Sequence, residues 1–105
     1  MKFAMPLVIA TAVSFSTGAA LAADGPQLMK DKACLACHAV DTKLVGPAYK
    51  EVAAKYKARK DAEAYLTKKI REGSKGVWGA VPMPPNGTVS DGEAMTLAKY
   101  ILTLK

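Results

Sequence analysis

Residues 34–38 read Cys34-Leu35-Ala36-Cys37-His38, and the rest of the chain takes its meaning from them. C-x-x-C-H is the attachment pattern of a c-type haem. Two thiols three residues apart on one helical turn can each add to a different vinyl group of one porphyrin. The histidine that follows at once is then held under the iron as an axial ligand. Two other uses of paired cysteines compete. A redox or structural disulfide of the thioredoxin kind needs βαβ units, and no convincing strand pattern is present. Zinc needs a fourth ligand. The chain has no other Cys and no other His, so a tetrahedral site would have to recruit a carboxylate.

Around this motif the sequence reads as helices separated by Gly and Pro. Gln27 to Cys37 is the first expected helix. Ala48 to Lys57 is a short second one, with Val52, Ala53 and Tyr56 on one side. A third is expected to start at Asp61, a good N-cap, and to carry Glu63 in its first turn, where the helix dipole favours an acid. It places Tyr65, Leu66, Lys69 and Ile70 along one side and stops at Gly73. Ser90 and Glu93 spell a capping box before an apolar-periodic run of Ala94, Leu97, Ala98, Ile101 and Leu102. Between the last two helices, Ser74 to Val89 holds three glycines and three prolines and can be neither helix nor central strand. It also carries Val77, Trp78, Val81 and Met83, so an ordered loop packed against something is expected.

The single histidine excludes bis-histidine ligation within one chain. The candidates for a sixth ligand are Met29, Met83, Met95, a lysine, or no protein group. Met29 and Met95 lie in expected helices, where core packing explains them. Met83 sits in Val81-Pro82-Met83-Pro84-Pro85, whose prolines stiffen the backbone and would hold a thioether in one place. A thioether favours ferrous iron and raises the reduction potential, and with both axial positions filled none is open to oxygen or peroxide. Such a site suits a carrier better than a catalyst.

The N-terminus reads differently from the rest. Met1 and Lys2 precede an apolar stretch from Phe3 to Phe15, then Ser16, Thr17 and Gly18, then small residues from Ala19 to Ala23. That order describes a secretory signal peptide over residues 1–23, with cleavage after Ala22 or after Ala23. A membrane span needs roughly 20 mainly apolar residues. Phe3 to Ala23 just reaches that length, but Pro6 and several polar residues dilute it. Cleavage leaves a single domain, 24–105, of 82 residues or one more. A core that small commonly needs a staple or cofactor. Two cysteines so close together cannot clamp its ends, whereas a large apolar cofactor would complete the core.

The segments C-L-A-C-H, V-G-P-A-Y-K, K-I-R-E-G-S-K-G-V-W-G, V-P-M-P-P-N and S-D-G-E-A-M-T-L-A-K-Y-I-L together span nearly all of the mature chain. In this combination the chain resembles the small bacterial class I cytochromes of the c551/c552 (c8) type. The resemblance implies an all-α class I cytochrome c fold of about four to five short helices wrapped around one covalently bound haem c. It places thioethers at Cys34 and Cys37 and axial ligands at His38 and Met83. By the same match the Pro47 carbonyl accepts the imidazole N–H, Trp78 reaches a haem propionate, and Asn86 hydrogen-bonds near the Met83 sulfur. Tyr100 stands where many relatives place Trp, and Gly87-Thr88 lengthens the loop after Asn86 by one residue compared with some.

Such cytochromes are not enzymes. They are periplasmic, Gram-negative-type monomeric shuttles between a quinol-oxidising, bc1-type donor and a terminal oxidase or nitrite reductase. Docking in the family uses the exposed haem edge, with Lys32, Lys43, Lys50 and Lys75 as rim candidates here. The full chain carries a formal net charge of +6, and nine cations against four acids fall between Lys50 and Lys75. That surface is either a solvated face or a steering field for an acidic partner. Nucleic acid is a poor partner for an exported chain with no aromatic-basic motif, and no stable membrane insertion is expected after cleavage. A haem sensor or peroxidase-like enzyme would need an open sixth position. Stable isolation as a monomer would argue against a haem subunit of one larger complex.

Overall fold

The computed structural model describes residues 2–14 and 24–105. The expected cleavage sites fall outside these residues. Phe3, Met5, Leu7, Val8, Ile9 and Val13 of the N-terminal stretch are exposed and belong to no helix or strand. No helix among the described residues is long and apolar enough to cross a membrane.

The described residues hold four α-helices, α1 (Gly25–Asp31), α2 (Tyr49–Tyr56), α3 (Ala62–Glu72) and α4 (Asp91–Leu102), with a 3₁₀ turn at Cys34–Ala36 between α1 and α2. Asp24 caps α1 by accepting the Gln27 N–H at 2.9 Å. This helix begins two residues before the expected start and ends well short of Cys37. The break is at Ala33, which adopts a left-handed conformation with φ 58°. An L-residue there costs about 1–2 kcal/mol. The chain then winds again as the 3₁₀ turn, so the cysteine motif is a separate short turn and not the end of a long helix.

α2 and α3 match their expected bounds, with Ala48 and Asp61 at the N-cap positions. The Asp61 carbonyl accepts the Tyr65 N–H at 2.8 Å. Its carboxylate does not cap α3 but takes a two-pronged bond from Arg59, at 2.7 and 2.9 Å. α3 ends at Gly73, whose φ of 78° a side chain would oppose. α4 opens with both halves of the capping box formed. Glu93 N–H donates to Ser90 Oγ at 3.1 Å, and Ser90 N–H donates to Glu93 Oε1 at 3.0 Å.

α4 packs on each of the other three helices. Its buried Ala94, Leu97, Ala98 and Ile101 meet Leu28 and Met29 of α1, Val52 and Tyr56 of α2, and Leu66 and Ile70 of α3 in one core. Tyr100 packs at the edge of this core, with Gly25 of α1 close against it. Met29 is therefore a core residue, as expected. Met95 is not: it is 43% exposed on the outer side of α4, because its position falls off the buried stripe that Leu97 and Ala98 define.

Candidate haem site

The proximal wall is built from the cysteine turn and from residues 46–49. Three backbone bonds tie these strips together: Gly46 N–H to the Cys37 carbonyl at 2.7 Å, Tyr49 N–H to Ala39 at 2.9 Å, and Lys50 N–H to Val40 at 3.1 Å. His38 lies half-buried between them, with Nδ1 2.8 Å from the carbonyl oxygen of buried Pro47. A carbonyl can only accept, so Nδ1 carries the proton and Nε2 keeps its lone pair for a metal. The Tyr49 ring stacks on the imidazole, with centroids 4.8 Å apart and planes 21° apart. Gly46 approaches so closely that a Cβ there would sit 2.5 Å from His38 Cε1. Cys34 is half-buried and Cys37 exposed, and they form no disulfide with each other. Burial pushes the Cys34 thiol up, and a hydrogen bond with Tyr49 partly offsets this. Tyr49 is itself pushed far above the ordinary phenol range, first by burial and then by its proximity to Cys34.

The distal wall comes from the loop after α3. Ser74 and Met83 exchange backbone bonds of 3.0 and 2.9 Å as an isolated antiparallel bridge. This bridge closes the loop at its base and fixes the half-buried Met83 beside the end of α3. Val89 anchors the far end in the core at 1% exposure. Trp78 is half-buried, edge-on to Tyr56 at 6.3 Å, and Lys55 Nζ lies 4.5 Å from its ring centre. Val81 departs from the expected packing: it is 63% exposed at the cavity rim. The Asn86 side chain bridges across to α1, donating from Nδ2 to the Lys32 carbonyl at 3.4 Å and accepting from the Thr88 hydroxyl at 2.9 Å.

Cys34, Cys37, His38, Pro47, Trp78, Met83 and Asn86 all line one cavity of about 580 Å³. That volume falls in the range of cofactor pockets, about 300–1,000 Å³. Its remaining walls are mainly aliphatic and aromatic, including Val52, Tyr56, Leu66, Leu97 and Ile101. An apolar chamber with two thiols, one imidazole nitrogen free to ligate, and one thioether fits a covalently held porphyrin. Among the described residues no group of three or more His, Cys, Asp and Glu forms a metal site, and the tetrahedral zinc alternative finds no carboxylate partner. Sequence reasoning singled out all seven of these residues. It passed over Tyr49 and Gly46 as site residues, although V-G-P-A-Y-K contains both.

Two of the lysines expected on the rim have other engagements. Lys32 Nζ donates to the Thr88 carbonyl at 3.0 Å and lies 3.5 Å from Glu93. Lys50 is paired with Asp41. Lys43 lines the cavity, and neither it nor Lys75 forms an ion pair among the described residues.

Short helices closed around a C-x-x-C-H cavity define a small class I c-type cytochrome, an electron carrier and not an enzyme. The chain belongs to the cytochrome c family, whose profile matches residues 22–105. It is 53% identical over 103 residues to cytochrome c-551 of Pseudomonas aeruginosa, covering 98% of this chain and 97% of that protein. To cytochrome c-552 of Nitrosomonas europaea it is 59% identical over 78 residues, covering 74% and 76%. The crystal structure of wild-type Nitrosomonas europaea cytochrome c552 matches with a TM-score of 0.75 at 57% identity, over 76% of this chain and 99% of that one. The family's covalent haem c and its role in electron transport extend to this chain through these matches.

Proposed function

We propose that this chain is a periplasmic single-electron shuttle whose one haem c is joined to Cys34 and Cys37 and ligated by His38 and Met83. The observation that carries this reading is the convergence of those four side chains on one apolar cavity. When bound, the haem supplies a one-electron iron couple, with a potential that a thioether ligand raises. The protein's own residues do the rest. Pro47 holds the imidazole proton on Nδ1 and so aims Nε2 into the cavity. The Ser74–Met83 bridge and the prolines beside Met83 keep the thioether in place in either charge state. Trp78 and Asn86 line the same cavity, and the reading assigns them a propionate contact and a bond near the Met83 sulfur.

The partners of this reading are a bc1-type quinol-oxidising donor and a terminal oxidase or nitrite reductase as acceptor. Leu44, Val45 and Val81 line the cavity mouth and are 49%, 58% and 63% exposed. With Lys43 and Lys75 they offer the apolar, basic-edged contact such a shuttle needs. Residues 1–23 serve as the export signal in this scheme, and the mature monomer starts at Ala23 or Asp24.

The test is the absorption spectrum of the purified ferric protein at neutral pH. The weak far-red band that reports an iron–methionine sulfur bond is expected, and Met83→Ala is expected to abolish it while keeping the haem attached. A band that survives Met83→Ala, or a wild-type protein without one, overturns the ligand assignment.

A further inference from the structure

We infer that Tyr49 is a positioning residue for the haem site: its ring fixes the rotation of the His38 imidazole plane. The inference rests on the proposal that His38 ligates the iron. A histidine ligand can rotate about its metal–nitrogen bond, and a single hydrogen bond from Nδ1 leaves that rotation only loosely set. Here the ring has neighbours on further sides. Tyr49 covers it at 4.8 Å with planes 21° apart, and Gly46 leaves no room at Cε1.

Gly46, Pro47 and Tyr49 are nearly consecutive, and the backbone bonds from Gly46, Tyr49 and Lys50 bind that strip to Cys37, Ala39 and Val40 on either side of the histidine. The imidazole is therefore gripped by one rigid unit. Tyr49 is only 5% exposed and belongs to the core cluster, so its ring cannot swing away without displacing packed neighbours. Stacking alone sets the plane in this arrangement.

The readout is the pattern of hyperfine-shifted haem methyl resonances in the ferric protein, which follows the orientation of the axial ligand planes. The holoprotein with its far-red band intact is the reference, and a missing band would count against the ligand assignment and not against Tyr49. Tyr49→Phe, which keeps the ring, is expected to leave the order of the methyl resonances unchanged. Tyr49→Leu is expected to change that order and to shift the reduction potential, while the far-red band persists. Should Tyr49→Leu fail to fold, Gly46→Ala presses on the same ring at Cε1 and is expected to change the order instead.

In the unmodified ferrous protein, nuclear Overhauser contacts between the Tyr49 and His38 ring protons are required, and they need no variant. An unchanged methyl order in folded Tyr49→Leu, or the absence of those contacts, overturns the inference.

Discussion

At the scale of single residues, the chemistry was legible wherever a residue type is scarce. Two cysteines, one histidine and a proline-flanked methionine leave few ways to build a site, and the fold brings all four to one cavity. Tyr49 was hidden because a tyrosine near a helix start reads as ordinary core, and stacking on the His38 imidazole leaves no mark in spacing. Ala33 was hidden for a related reason. Its left-handed conformation is usually signalled by Gly or Asn, and alanine signals the reverse. Ala33→Gly is therefore expected to stabilise the protein. Relief of about 1–2 kcal/mol of strain exceeds the added freedom of glycine in the unfolded chain, about 0.5–1 kcal/mol. A denaturant midpoint that moves upward, with an unchanged slope, is the check.

At the scale of elements, the sequence predicted α2, α3 and α4 nearly to the residue, helped by Gly73 at the end of α3 and the capping box at the start of α4. The first helix failed because nothing in Asp31-Lys32-Ala33 announces a stop. The capping box of α4 is the clearest of those boundaries and gives a prediction of its own. Ser90→Ala removes the acceptor for the Glu93 N–H and is expected to cost about 1 kcal/mol in thermal or denaturant unfolding. Glu93 adds a pH dependence. The Ser90 backbone N–H, and then Lys32, hold its carboxyl below the usual range. Its contribution is thus fully present above the ordinary carboxylate pKa and is lost as pH falls through the lower folded value. Stability measured from pH 7 downward should fall less steeply below about pH 4 in Glu93→Gln than in the parent. Equal slopes would show that the carboxylate adds nothing to the cap.

At the scale of the whole molecule, charge is the property most readable from sequence and the least tied to the fold. Six of the acids are already matched to basic partners on the surface, so the excess positive charge of the domain is left over for its surroundings. Exposed pairs add little to stability, but an unbalanced field changes how fast partners meet. Electron exchange with an acidic partner is expected to slow as salt rises from low ionic strength toward 0.15 M, where the screening length falls to about 8 Å. A rate that ignores salt would leave the apolar mouth around Leu44, Val45 and Val81 as the whole of the docking force. The two walls of the cavity also differ in how far apart their parts lie along the chain. The cysteines, the histidine and the strip that grips it are neighbours within residues 34–49, whereas the thioether comes from Met83, far downstream. As the polypeptide emerges, the two thiols, the histidine and the strip that grips it are complete while residues 50–105 are still to follow. In the proposed site the methionine then arrives last and closes a grip that residues 34–49 have already made.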